Sequence, residues 1–127
     1  MVKKEINNIY DFKSSEEAIS YFLQNFKNEF PEFTIKKSYE KLPYSLFSPF
    51  EFEYLFKYLT LTIGSERMAL GYLLLVNGRV LDFDQIDPNC SKLLAFSKSN
   101  LYYFFLVLKI VIESYKINSL LPFKSLY

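Results

Sequence analysis

Apolar residues recur at helical spacing after Ser14 and Ser15: Ile19, Phe22, Leu23, Phe26 and Phe30. Ser14 with Glu17 three residues on forms a capping box, so the spacing predicts a first helix, which Pro31 ends. Phe33 and Ile35 then alternate with Thr34, Lys36 and Lys37, the pattern of a half-buried strand, before Pro43 opens a Pro- and Ser-containing connection. Ser48-Pro49-Phe50-Glu51 repeats the capping box with proline at the first helical position. Phe52, Leu55, Phe56 and Leu59 follow at helical spacing, which predicts a second helix over about 49 to 58. The same stretch also alternates, at Phe52, Tyr54, Phe56 and Tyr58, so a single strand from Glu51 to Ile63 competes with it. The capping signal favours the helix, followed by a short strand over Leu59 to Ile63.

Gly64-Ser65-Glu66-Arg67 reads as a turn into Met68 to Val76, which is apolar almost throughout, as in a central strand covered on both faces. Asn77-Gly78 supplies the two positive-φ positions of a type I′ turn, and Arg79 to Asp84 returns antiparallel. A two-residue turn sets the register: Leu74 faces Leu81 and Tyr72 faces Phe83, while Leu75 pairs with Val80 and Leu73 with Asp82. Asp87-Pro88 reads as a helix start, Ser91 to Phe96 as a short helical turn, and Ser97 to Asn100 as another capping region. Leu101 to Ile112 is apolar except for Lys109 and runs on to Lys116 without a breaker, which predicts a core helix. It is well short of the roughly 20 apolar residues that cross a bilayer. The tail from Ile117 to Tyr127, with Leu120, Leu121 and Phe123, is apolar enough to dock on the body or on a partner. This order predicts an α+β fold, with a small antiparallel sheet and a central hairpin at about 68–76 and 79–84. The N-terminal and C-terminal helices pack against it, in one domain over 1–127.

Composition narrows the chemistry. The 127 residues include 14 Phe and 11 Tyr, which excludes intrinsic disorder, and a net charge of +1 offers no global field to nucleic acid or an anionic membrane. There is no histidine, so Ser-His-Asp, Cys-His and HExxH sites are excluded, and the single Cys90 excludes a zinc knuckle, an iron–sulfur cluster and an internal disulfide. No apolar run of signal-peptide length occurs in Met1 to Phe12, and the expected compartment is the cytoplasm.

Chemistry must then come from carboxylates, Lys, Tyr or Ser. Asp82, Asp84 and Asp87 are the densest acidic group, with Asp82 and Asp84 expected on one strand face. They read as a solvated face, as an acidic surface that binds a basic protein in place of phosphates, or as a Mg²⁺ site of a small metal-dependent enzyme. Glu51 and Glu53 are a second carboxylate pair, with Glu51 explained by the capping box. Lys36, Lys37 and Lys41 with Tyr39 and Tyr44 read as a lysine-blunted strand edge rather than a nucleic-acid surface. Gly64, Gly71 and Gly78 form neither GxGxxG nor a P-loop, and turn or strand-crossing roles suffice for them. No cofactor and no metal ligand set is expected. The face carrying Leu73, Leu75, Val80, Asp82 and Asp84 offers an apolar centre with an acidic margin, which suits a protein partner.

From about Tyr58 to Ile112 the order of features resembles the SUKH superfamily of bacterial immunity proteins. The residues that carry it are Leu59 to Gly64 (LTLTIG), the strand Gly71 to Val76, the Asn77-Gly78-Arg79-Val80 turn, Asp82 to Asp84, and Ser97 to Leu101 leading into an aromatic helix. The resemblance implies a cytoplasmic, non-catalytic protein that binds and neutralises a cognate toxin domain. The expected contact residues are Asp82, Asp84, Asp87, Glu51, Glu53 and Leu73. A phage-type inhibitor of a host nuclease is the neighbouring alternative.

Overall fold

In a computed structural model, residues 6–40 and 48–117 are described. Lys41, Pro43, Tyr44 and the tail after Ile117 lie outside them. The order is α1 (Ser15–Glu29), β1 (Thr34–Glu40), β2 (Phe50–Phe56), β3 (Leu59–Glu66), β4 (Ala69–Val76), β5 (Arg79–Leu81) and α2 (Lys98–Ile117), with two 3₁₀ turns, Phe83–Gln85 and Pro88–Lys92, before α2. The strands form one antiparallel meander in the order β1-β2-β3-β4-β5. The α+β class and the flanking helices are as expected.

α1 begins with Ser14 as its cap, the Glu17 amide donating to Ser14 Oγ (3.2 Å), while the Glu17 carboxylate accepts from the Lys13 amide (3.0 Å), one residue before the cap. Its buried stripe of Ala18, Ile19, Phe22 and Phe26 lies on the sheet: the Phe22 ring stacks on Phe52 (centroids 5.8 Å apart) and Phe26 packs on Tyr54 (4.3 Å). α2 covers the rest of that face, with Phe104 stacked on Phe83 (5.1 Å) and against Tyr72 (4.7 Å), and with Phe105 touching Phe22, Phe26 and Phe30. Burying one large side chain is worth about 1.5–3 kcal/mol, so this aromatic layer is the main stabilising feature. Among the described residues, no helix is long and apolar enough to cross a membrane.

The N-terminal segment is stitched to the start of α2 by polar groups. Asn100 Nδ2 donates to Asn8 Oδ1 (2.8 Å) and to the Ala95 carbonyl (2.9 Å), and its Oδ1 accepts from the Asn7 amide (3.0 Å). Ser97 Oγ donates to the Asn7 carbonyl and accepts from the Asn100 amide. The Asp11 carboxylate accepts from the Lys98 amide (3.1 Å), so a residue 87 positions away completes the helix cap. Asn100 is fully buried, and its network holds Ile6 to Phe12 against the body.

Several expectations are corrected. Residues 49 to 58 form strand β2 rather than a helix, so Glu51 is no capping-box member. The sheet places Phe50, Phe52 and Tyr54 inward and Glu51 and Glu53 outward, and ladders on both sides outweigh the local cap signal. Ser48 does another job, its carbonyl accepting from Ser15 Oγ (2.8 Å). The turn expected at Gly64–Arg67 sits at Arg67-Met68, both left-handed (φ 52° and 67°), because β3 runs on to Glu66 and pairs with Ala69. The 68–76/79–84 hairpin is at the sheet edge rather than central. Its Asn77-Gly78 turn and its Leu74–Leu81 and Leu75–Val80 pairs are as read, but β5 stops at Leu81 and β4 is covered on one face only. β1 buries Phe33 just before it and then loses alternation at an irregularity between Ile35 and Lys37, which leaves Ile35 exposed on the edge. The helical turn expected over Ser91 to Phe96 occurs earlier, as the 3₁₀ turn Pro88–Lys92.

Candidate functional site

Both helices lie on the inner face of the sheet, and the register assigns the outer face residue by residue. One row across the strands reads Tyr39, Glu51, Gly64, Gly71. The next reads Lys37, Glu53, Thr62, Leu73, and a third reads Thr34, Leu55, Thr60, Leu75, Val80. Glu66 opposite Ala69 lies beyond the first row. The second and third rows are apolar toward β5, where Leu73 of the second and Val80 of the third are 43% and 59% exposed, far more than the buried Leu74 and Val76 of β4.

In the first row Gly71 leaves bare backbone exposed beside the buried Gly64. Glu51, Thr62, Glu66 and Leu73 stand around it and enclose a shallow trough of about 350 Å³. The two glycines have different reasons. At Gly64 a Cβ would fall 2.1 Å from the Phe50 carbonyl oxygen and 2.8 Å from Glu51 Cα, so the approach of β2 requires glycine. At Gly71 a Cβ would meet nothing within 4 Å and φ is not positive. The carboxylates also differ: Glu53 pairs with Lys36 (3.3 Å), whereas among the described residues neither Glu51 nor Glu66 has an ion-pair partner.

The residues expected to act together fall in two places. Glu51, Glu53 and Leu73 share the outer face. Asp82, Asp84 and Asp87 follow β5, about three strand spacings, or roughly 14 Å, from β2. The aspartates are not a strand face either, which corrects that expectation. Asp82 caps the first 3₁₀ turn by accepting from the Asp84 amide (3.0 Å). Asp87 caps the second through the Asn89 amide (3.0 Å) and also accepts from the Tyr103 hydroxyl (2.6 Å). Asp82 and Asp87 therefore serve the chain itself, and Asp84 is exposed beside them. Among the described residues, no three His, Cys, Asp or Glu side chains gather as a metal site would need.

Cys90 is buried under this corner. Burial, then the charges of Asp87 and Asp84, push its thiol up to about 11, away from thiolate chemistry. Tyr72 is likewise pushed up, first by burial, and its hydroxyl donates to the Cys90 carbonyl (3.5 Å). Of the Tyr102–Phe105 run, three residues are core and Tyr102 is exposed. Sequence reading missed Glu66, placed in a turn, and the bare floor at Gly71. The available signal was a glycine inside an otherwise apolar strand, which marks a close approach or a bulge.

No family model matches this chain, and neither does any curated protein or solved structure.

Proposed function

We propose that the protein is an immunity-type binder that neutralises a bacterial toxin domain in the cytoplasm by direct contact, without catalysis of its own. The observation that carries this reading is the one-sided sheet. Two helices cover its inner face, while its outer face presents exposed Leu73 and Val80 beside Glu51, Glu53 and Glu66. An apolar centre with a charged margin is the usual anatomy of a protein interface, and a rigid sheet gives it at little ordering cost. The resemblance of Tyr58 to Ile112 to SUKH immunity proteins points the same way. Asp84 lies apart from this margin, in the 3₁₀ turn after β5.

The test is capture followed by rescue. Tagged protein is cross-linked in producing cells, the partner is identified, and the partner is then expressed alone and together with this chain. Growth arrest by the partner alone, relieved by co-expression, is the expected result. A captured partner that is harmless alone, or that still arrests growth when co-expressed, overturns the reading.

A further inference from the structure

Gly71 is a glycine that the fold does not use. It lies in the middle of β4, is exposed, has no positive φ, and has open space where a side chain would stand. A glycine inside a strand is destabilising by about 0.5–1 kcal/mol relative to alanine, and every other turn or crossing glycine here has a local reason. Glycine at such a place lets another group reach the backbone. Around that opening stand two carboxylates from different strands, Glu51 and Glu66, neither in an ion pair among the described residues, with Thr62 as a hydroxyl and Leu73 as an apolar wall. Among the described residues the neighbouring Lys36 pairs with Glu53 instead.

We infer that the trough over Gly64 and Gly71 receives a basic side chain of a protein partner. A lysine or arginine lies along the bare floor between Glu51 and Glu66, and its apolar neighbour rests on Leu73. This rests on the protein-binding reading above and names the chemistry of the partner's contact. An arginine suits the place because its flat guanidinium slides over the exposed backbone at Gly71 and bonds two carboxylates at once, while its methylenes cover that glycine.

The test uses the whole chain and a short peptide, acetyl-Ser-Arg-Val-Arg-Ser-amide, followed by amide NMR shifts. The control replaces each arginine with citrulline, which keeps the shape and removes the charge. Shifts centred on Thr62, Gly64, Gly71 and Leu73 with the arginine peptide, and absent with citrulline, are expected. Gly71→Val puts a side chain over the floor, where a Cβ meets nothing within 4 Å, and Glu51→Gln with Glu66→Gln removes the charge. Each is expected to weaken the peptide about tenfold or more while the protein stays folded. The inference is overturned if millimolar peptide leaves these amides unmoved, if the shifts centre on Asp82 to Asp87, or if Gly71→Val binds as the parent does. Shifts that grow with protein concentration alone would make a second copy the occupant and also overturn it. The two proposals fail separately: a captured toxin whose binding ignores Gly71→Val sinks the trough and leaves the function standing. A harmless captured partner that is lost in Gly71→Val does the reverse.

Discussion

On the inner face of the sheet Phe50, Phe52, Tyr54, Leu61, Ile63 and Leu74 lie beneath two helices, ring against ring, with almost no exposure. On the outer face Glu51, Leu73 and Val80 stand exposed and Glu53 and Thr62 half-buried, around the bare backbone at Gly71. Strand pleating gives both faces from one backbone, so the difference lies only in which alternate residues are large and what covers them. The inner face holds the protein together. The outer face contributes little to stability and is free to be shaped by a partner, so substitutions on the two faces should separate stability from binding.

The largest effect should come from the inner face. Phe22→Ala removes a ring that touches Phe26, Phe52, Tyr54, Phe96 and Phe105, and should cost about 3–5 kcal/mol in chemical denaturation. Next is the glycine pair, where the comparison is sharpest because the two residues face each other in register. Gly64→Ala must push the Phe50 carbonyl aside and should destabilise by about 2–3 kcal/mol, with a matching fall in Tm. If Gly64→Ala proved neutral, the close approach of β2 to β3 would be wrong.

A smaller effect is confined to alkaline pH. Cys90 has an ordinary thiol value of 9.0 and is held at about 11 in the fold, first by burial and then by Asp87 and Asp84. The unfolded chain therefore releases this proton first. Stability should hold up to about pH 9 and then fall as pH rises toward 11. Denaturation midpoints measured at intervals across that window should show the fall, and Cys90→Ala should blunt its onset. An unchanged onset in that variant would assign the effect to the buried tyrosines instead.

The smallest effect, of opposite sign, belongs to the outer face. Gly71→Val adds a β-branched residue into open space and should raise stability by up to about 1 kcal/mol. A clear loss of stability there would mean that Gly71 serves the fold, and the two faces would no longer divide the labour as described.

Parts of this division were legible in the residue pattern. Ser14 with Glu17 and the stripe from Ile19 to Phe30 suffice for α1, since cap and periodicity agree. Asn77-Gly78 suffices for the β4–β5 turn, because few residue pairs accept two positive φ values. β2 was misread because Phe52, Leu55, Phe56 and Leu59 fit a helix as well as Phe52, Tyr54 and Phe56 fit a strand. Arg67-Met68 carries no turn signature. Its left-handed residues are held by long-range hydrogen bonds, from the Phe96 amide to the Met68 carbonyl and from the Leu70 amide to the Leu94 carbonyl. The candidate site was half legible: Glu51, Glu53 and Leu73 do share a face, but the aspartates after β5 are largely caps.

By itself, the sequence settled what depends on neighbours in the chain: the start of α1, the type I′ turn, the length and apolarity of α2, and a side-chain inventory without histidine or a second cysteine. Tertiary structure decided what depends on residues far apart in the chain. It turned 50–56 into a strand because β1 and β3 lay ready to pair, and it left one face of β4 uncovered because both helices fell on the other side. It also set Gly64 against Gly71, between Glu51 and Glu66, which no local spacing announces. Short-range preferences are worth tenths of a kcal/mol per residue, while ladders and buried rings are worth kilocalories, so where the two disagreed the long-range contacts prevailed.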